Sequence, residues 1–263
     1  MHRTSKPLLV GLLMAVLLTG CSLLPEQIDE TRGWSAQQLY VEAKDSMDSG
    51  NYKTAIEYLD KIQARYPFGR YAQQAQIDTI YCQYKSNEPD AAVAAADRFI
   101  KANPRHPYVD YAYYMKGMAN FNRSDTFMER LAPTDRSKTD TDAARQAYND
   151  FAELTRKFPD SKYAGDARQR MLFLHNSLAN YEIHVANEYL WRGAYIAALN
   201  RATYVLENYA RTPATEDALS IMTQVYIKLN MPQLANDSLR VLERNYPQSP
   251  ELPKLNALLK GTG

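Results

Sequence analysis

The sequence predicts an all-α fold, a tandem array of about five helix–turn–helix repeats. Three windows of the chain align without gaps with a helix–turn–helix template of about 34 residues. Apolar residues recur at helical spacing within each window, and Gly and Pro stand where helices should turn or end. Such units bury their apolar faces by stacking on their neighbours, so the pattern predicts an elongated solenoid.

The three regular windows share turn and stop residues at matching positions, with Gly before the second helix in the first two and Pro after that helix in the first and third. They are residues 36–69, 179–212 and 216–249. In the first window Gly50 precedes the second helix, where a turn needs a positive φ, and Pro67 follows that helix and stops it. A small Ala in the middle of each second helix allows close helix packing. This is the tetratricopeptide pattern.

Two less regular repeats fill the space between these windows. Residues 71–104 form one and residues 107–159 form the other, which carries a long polar insertion at 122–141. The insertion is predicted to be a loop, and a loop of this length is usually functional or disordered. Beyond it, the stretch from Tyr163 to Leu190 has helical apolar spacing and no Pro, so it predicts one long helix.

The N-terminus predicts export and lipidation. Residues 1–20 combine a basic start with an apolar run of about eleven residues, too short to span a bilayer. The run ends in Leu18-Thr19-Gly20-Cys21, which matches a lipobox and predicts cleavage before Cys21 and acylation of its thiol. Residues 21–33 then form a predicted flexible tether. The body divides into 34–160, with repeats one to three, and 161–249, with repeats four and five, followed by a tail at 250–263.

Composition and motifs argue against several function classes. The chain has 31 basic and 30 acidic residues, and loss of Arg3 and Lys6 with the leader leaves a nearly neutral protein. A nucleic-acid partner would favour a basic excess. We found no metal-spaced His pair, phosphate-binding loop or nucleophile motif, so we expect no enzyme activity, no metal and no cofactor. Cys82 lies in an apolar-periodic helix and is interpreted as a packing residue.

The first helices of the N-terminal repeats carry many aromatic and polar side chains. In a tetratricopeptide array the first helices line a concave surface on which an extended peptide can lie. The alternative interpretation is that most of these tyrosines pack between helices. We predict a peptide groove lined by Tyr71, Gln74, Asp78, Tyr81, Tyr84, Asp110, Tyr113 and Tyr114.

Several strings of the sequence lie outside the generic repeat positions. They are Arg65-Tyr66-Pro67-Phe68-Gly69, Asn103-Pro104-Arg105-His106-Pro107, Met115-Lys116-Gly117, Phe151-Ala152-Glu153-Leu154, Arg192-Gly193-Ala194-Tyr195 and Asn200-Arg201. These strings resemble the BamD family, the lipoproteins of the β-barrel assembly machinery, and the similarity runs from about residue 35 to 245.

This resemblance implies five repeats, an anchor in the outer membrane on its periplasmic side, and association with BamA. It implies that the N-terminal repeats bind unfolded outer-membrane proteins, while the C-terminal repeats dock on the last POTRA domain of BamA; other lipoproteins of the machinery are expected partners. Carried onto this chain, the docking residues would be Asn200 and Arg201, and Arg201→Glu is expected to weaken docking without loss of helix. The alternative is another periplasmic tetratricopeptide lipoprotein, such as a secretin pilotin or an envelope coordinator.

Overall fold

The structure, a computed structural model, describes residues 29–123 and 141–261, and these residues form eleven α-helices and no strand. Among them, no helix is long and apolar enough to cross a membrane. The helices are α1 (Ala36–Asp48), α2 (Tyr52–Arg65), α3 (Arg70–Lys85), α4 (Pro89–Ala102), α5 (Val109–Arg123), α6 (Thr141–Lys157), α7 (Ala164–Trp191), α8 (Tyr195–Asn208), α9 (Ala214–Lys228), α10 (Pro232–Asn245) and α11 (Leu252–Lys260).

The helices pack as five consecutive pairs, from α1 with α2 to α9 with α10, and this confirms the predicted repeat architecture. Each helix contacts the next one along the chain, and the first helices also contact each other, α1 with α3, α3 with α5 and α7 with α9. The first helices therefore share one face of the solenoid. The long helix predicted between Tyr163 and Leu190 is α7, which spans 28 residues.

The turns inside repeats one, two, four and five share one backbone conformation. Gly50 and Gly193 have φ values of 74° and 73° between their paired helices, as the sequence predicts. Asn87 and Asn230 take the same role in repeats two and five, with φ values of 59° and 56°. Asn is one of the few other residues that tolerate this region, so the repeats without Gly keep the same turn.

The centre of each repeat is built on small side chains. The fourth residue of each second helix outside repeat three is a fully buried Ala, namely Ala55, Ala92, Ala198 and Ala235. Repeat three brings α5 and α6 together differently. A methyl group at Gly117 would lie 2.6 Å from the ring of Phe151, which is itself fully buried. Gly117 is therefore required for the approach of these two helices.

Two regions differ from the sequence analysis or lie beyond it. Residues 250–263, assigned only as a tail, contain helix α11, and its Leu255 is fully buried against Leu219, Leu239 and Leu242. This short helix covers the apolar surface of repeat five at the C-terminal end of the core. The lipidation site Cys21 and residues 124–140 of the predicted insertion lie outside the described residues.

Candidate functional site

A cavity of about 380 Å³ opens on the face lined by the first helices of the N-terminal repeats. Four segments of the chain meet there: α1, α3, the start of α5 and the residue just before α7. Tyrosines and charged groups dominate the wall, and the lining residues are Lys44, Met47, Asp48, Gln74, Ile77, Asp78, Tyr81, Tyr108, Tyr111 and Tyr163. Such a wall offers flat apolar surface together with polar ends, which suits a peptide chain.

Three of the predicted groove residues, Gln74, Asp78 and Tyr81, line this cavity, all from α3. Asp78 is only 8% exposed. One of its carboxylate oxygens accepts a hydrogen bond from the Tyr40 hydroxyl at 2.8 Å, and the other accepts one from the Gln74 amide at 3.1 Å. Asp78 is therefore a fixed polar part of the wall, since both of its oxygens are already bonded.

Tyr71 and Tyr84 lie on α3 beside the cavity and do not line it. The ring of Tyr71 packs at 5.6 Å from that of Tyr40, and the guanidinium of Arg70 covers it at 4.8 Å. The hydroxyl of Tyr84 accepts a hydrogen bond from the Asn122 amide at 2.9 Å, which joins α3 to α5. Both side chains are half-buried and engaged within the chain.

Asp110, Tyr113 and Tyr114 on α5 serve packing between helices. Tyr113 is buried, with its ring against Phe158 at 5.6 Å and its hydroxyl bonded to the Lys157 ammonium at 2.7 Å. Tyr114 donates a hydrogen bond from its hydroxyl to Asp166 on α7 at 2.8 Å. Asp110 accepts a hydrogen bond from Ser161 at 2.6 Å. For these residues the packing interpretation describes the structure better than the groove interpretation.

Their neighbours Tyr108 and Tyr111 reach the cavity instead. Tyr108 is 51% exposed, and the ring of Tyr111 lies 5.5 Å from that of Tyr163. Burial raises the pKa of Tyr111 well above its ordinary value, and nearby Tyr163 and Asp78 add to the shift, so its hydroxyl is neutral at neutral pH. The sequence carried a usable signal here, because Tyr111 lies three residues before Tyr114 on the same helix.

Helix α1 contributes Lys44, Met47 and Asp48, which the sequence analysis did not consider. These residues are spaced three and four apart, so they lie on one face of α1. The buried Cys82 lies in the same cluster as Met47. Burial raises the pKa of the Cys82 thiol to about 12, Asp78 adds to this shift, and Lys44 acts in the opposite direction. Cys82 is thus a packing residue, as expected.

A second cavity of about 380 Å³ lies in repeat four and contains both predicted docking residues. Asn200 and Arg201 line it together with Tyr189, Ala197 and Tyr204. Arg201 is already engaged within the chain, because its guanidinium donates a hydrogen bond to a carboxylate oxygen of Glu182 at 2.9 Å. Its side chain nevertheless remains 43% exposed. Arg201 is therefore bonded within the chain and partly exposed at the same time.

Glu182 is the centre of an ion-pair network that joins repeats three and four. Its side chain is 1% exposed, and its second oxygen accepts a hydrogen bond from Arg145 of α6 at 3.3 Å. Arg145 also donates to the hydroxyls of Tyr204 and Tyr209. Although burial opposes the charge on Arg145, these hydroxyls and Glu182 raise its pKa above the ordinary value. The network fixes α6, α7 and α8 against each other.

The described residues contain no group of three His, Cys, Asp or Glu side chains that could hold a metal ion. The notable side chains of both cavities are aromatic, amide and charged groups. This composition fits recognition of a polypeptide surface.

Comparison with known proteins identifies the family. The family model described as YfiO, outer membrane lipoprotein, matches residues 33–242. The outer membrane protein assembly factor BamD of Neisseria meningitidis serogroup B is 43% identical over 94% of both chains. BamD of Vibrio cholerae is 36% identical over 90% of this chain and 97% of its own.

Among solved structures, a thermophilic TPR protein of Thermus thermophilus covers 87% of this chain at 14% identity, with a TM-score of 0.36. The match includes 98% of the Thermus chain. The assignment depends on the sequence matches, which extend across both cavities. The chain belongs to the BamD family of outer membrane protein assembly factors, also described as the YfiO family of outer membrane lipoproteins.

Proposed function

We propose that this protein is a non-enzymatic scaffold, held by a lipid on Cys21 at the periplasmic face of the outer membrane, that brings unfolded outer-membrane proteins to BamA. The N-terminal groove holds the unfolded chain and the C-terminal repeats dock on a POTRA domain. Other lipoproteins of the machinery bind the same scaffold. The observation that carries this proposal is the presence of two separate polar and aromatic cavities, one on the N-terminal repeats and one in repeat four.

The groove in this proposal is the N-terminal cavity. Tyrosine rings provide broad contact area at a small cost in side-chain entropy, and their hydroxyl groups can bond to a peptide backbone. Tyr108 and Tyr111 make no side-chain hydrogen bond within the described residues. The groove therefore offers unused hydrogen-bonding groups to an extended segment with aromatic side chains, such as the terminal strand of a barrel protein.

The docking surface is the cavity beside Asn200 and Arg201. A guanidinium can bind two carboxylates from different sides, because it carries five N–H donors. Glu182 occupies one side of Arg201, and the exposed side remains open to an acidic residue of the partner. Asn200 is exposed on the rim of the same cavity and adds an amide.

The groove is tested by crosslinking a peptide that ends in an aromatic strand to the full-length acylated protein in detergent. Substitution of the buried Tyr113 would damage the fold, so the informative variant is Tyr108→Ala at an exposed position. We expect peptide affinity to fall about fivefold to tenfold, the effect of losing one aromatic anchor. Trp191→Ala is the matched control, since Trp191 is 83% exposed and lies outside the cavity. Equal affinity in both variants would refute the groove.

Docking is tested by filling the C-terminal cavity without breaking the Glu182 network. Asn200→Trp places a large side chain on its rim, and we expect co-purification of the POTRA-containing barrel protein to fall at least tenfold. Glu57→Trp is the control, because Glu57 is exposed and occupies the same register on α2 as Asn200 on α8. Undiminished recovery with Asn200→Trp, at unchanged helicity, would rule out this surface.

A further inference from the structure

The loops that follow the second helices of repeats one to three lie at one edge of the solenoid. Consecutive helices joined by short connections run antiparallel, so every such loop returns to the same edge. Side chains link the neighbouring loops: the Asn103 amide after α4 donates a hydrogen bond to Gln76 of α3 at 3.1 Å. Ser161, just before α7, donates one to Asp110 at the start of α5 at 2.6 Å. We call this surface the loop edge, formed by residues 65–70, 101–108 and 156–163.

The loop edge is strongly basic. Its three segments contain seven Lys and Arg residues and one acidic residue, Asp160. The turns at the opposite edge in repeats one and two, residues 48–53 and 85–90, contain three acidic residues and two basic ones. Five cations of the loop edge are exposed and form no salt bridge within the described residues, namely Arg70, Lys101, Arg105, Arg156 and Lys162. The positive charge therefore belongs to one edge and is free to meet an anionic surface.

Aromatic side chains stand among these cations. Phe68 is 90% exposed, which is more than any other large apolar side chain of the described residues, and Tyr66 beside it is also exposed. Arg70 follows two residues later. Exposed aromatic rings flanked by Lys and Arg are typical of surfaces that lie in the headgroup region of a bilayer. Anionic lipids attract such basic clusters.

The chain that leads to the predicted lipidation site leaves the body at this edge. Asp29 pairs with Arg65 at the end of α2, and the hydroxyl of Tyr66 donates a hydrogen bond to the Trp34 carbonyl at 2.7 Å. The first described residues are therefore fixed to the start of the loop edge. Eight residues separate Asp29 from Cys21, so the two lie at most about 28 Å apart even in a fully extended chain. A lipid on Cys21 would keep this edge close to the membrane.

We propose that the loop edge of repeats one to three contacts the surface of the membrane that holds the lipid anchor. Its basic residues bind anionic phospholipid headgroups, and Phe68 enters the boundary between headgroups and acyl chains. This inference rests on the proposed lipid anchor and adds how the scaffold is oriented on the membrane. Each basic residue near an anionic surface favours the contact by roughly fivefold, and the anchor provides a high local concentration of lipid.

The test measures quenching of a fluorophore on the loop edge by lipids that carry a nitroxide on the headgroup. Ala102→Cys provides the attachment site, since Ala102 is exposed at the end of α4, Cys82 is buried and the thiol of Cys21 is acylated. Glu88→Cys, exposed at the opposite edge, is the reference site. The acylated protein is reconstituted on vesicles of phosphatidylcholine with about 30% phosphatidylglycerol, and on vesicles of phosphatidylcholine alone.

We expect quenching at position 102 to exceed that at position 88 by at least threefold on the anionic vesicles, and to fall to the level of position 88 on phosphatidylcholine alone. The double substitution Lys101→Gln and Arg105→Gln should shift the contact equilibrium by roughly 25-fold and have the same effect. The matched control is Lys53→Gln with Lys85→Gln, which removes two exposed cations from the opposite edge and should change nothing. Circular dichroism of each variant must match that of the unmodified protein.

Flotation of the vesicles separates the contact from the anchor. Protein that does not float with the vesicles would refute the proposed lipid anchor and this inference with it. Protein that floats with equal quenching at both positions would overturn the contact alone. Quenching at position 102 that persists on phosphatidylcholine alone, or in the double variant of Lys101 and Arg105, would also overturn it, because the basic residues would then not hold the edge on the membrane.

Discussion

The substitution Glu182→Gln tests whether the buried ion-pair network joins the two halves of the solenoid. Gln has the shape of Glu but no charge, and its amide nitrogen is a donor. One of the two guanidinium groups that now bond to Glu182, those of Arg145 and Arg201, would then face another donor. The variant therefore removes one charge-assisted hydrogen bond and weakens the other without creating a cavity.

The size of the effect follows from burial. A hydrogen bond to a charged group contributes about 1.5–3 kcal/mol, and breaking a buried pair costs about 3–5 kcal/mol. Glu182 is 1% exposed, but Arg145 and Arg201 are 37% and 43% exposed and can turn to water. We therefore expect the free energy of unfolding to fall by about 3 kcal/mol, the lower end of the range for a broken buried pair. This loss corresponds to a Tm decrease of about 6–12 °C for a chain of this size.

The assay is thermal unfolding followed by circular dichroism at neutral pH. Glu188→Gln is the matched control, because it makes the same change on the same helix at a pair that is exposed on both sides. Such a pair contributes at most about 1 kcal/mol. A Tm for Glu182→Gln within about 1 °C of that for Glu188→Gln would refute the reasoning. The result also bears on Arg201→Glu, which would set a second carboxylate beside Glu182 and lower stability as well as docking.

Three further predictions concern single positions. Gly117→Ala should lower stability by about 1–2 kcal/mol in urea unfolding, because the added methyl displaces the Phe151 ring and the gain in helix propensity offsets only part of that cost; an unchanged midpoint would contradict the close approach. Cys82, whose pKa burial raises to about 12, should resist thiol reagents in the folded protein and react within minutes in denaturant; rapid labelling of the native protein would contradict this. Although partial burial alone would raise the pKa of Asp166, hydrogen bonds from Arg170 and Tyr114 hold that pKa below its ordinary value. The ionised carboxylate of Asp166 therefore stabilises the folded state at neutral pH, and this stabilisation is lost as the pH falls through the folded pKa. The Tm difference between the unmodified protein and Asp166→Asn should therefore shrink below about pH 4, and a constant difference would refute the linkage.

The repeat architecture was predictable because its signals are local. Gly50 and Gly193 mark turns that need a positive φ, and the buried Ala of each second helix follows at a fixed distance. Helix α11 was missed because a nine-residue segment after Pro250 has no repeat pattern. Its stability comes from Leu255 packing on repeat five, which is a tertiary contact that no local signal reports.

The candidate sites were predictable only in part. The sequence placed Gln74, Asp78 and Tyr81 on the correct face of α3, since helical spacing fixes which side chains share a face. It could not decide between groove and packing for Tyr113 and Tyr114, because that depends on the rotation of α5 against α6 and α7. The internal partner of Arg201 was also hidden, since Glu182 lies nineteen residues earlier on another helix.

The central claim is that this scaffold joins unfolded barrel proteins to a POTRA-containing partner. The most direct measurement is affinity isolation of the acylated protein from envelopes in mild detergent, with quantitative mass spectrometry of what is recovered. We expect a POTRA-containing β-barrel protein near one-to-one, together with lipoproteins of the same assembly. Recovery of a secretin or of division proteins in its place would contradict the proposed function while leaving the helical array intact.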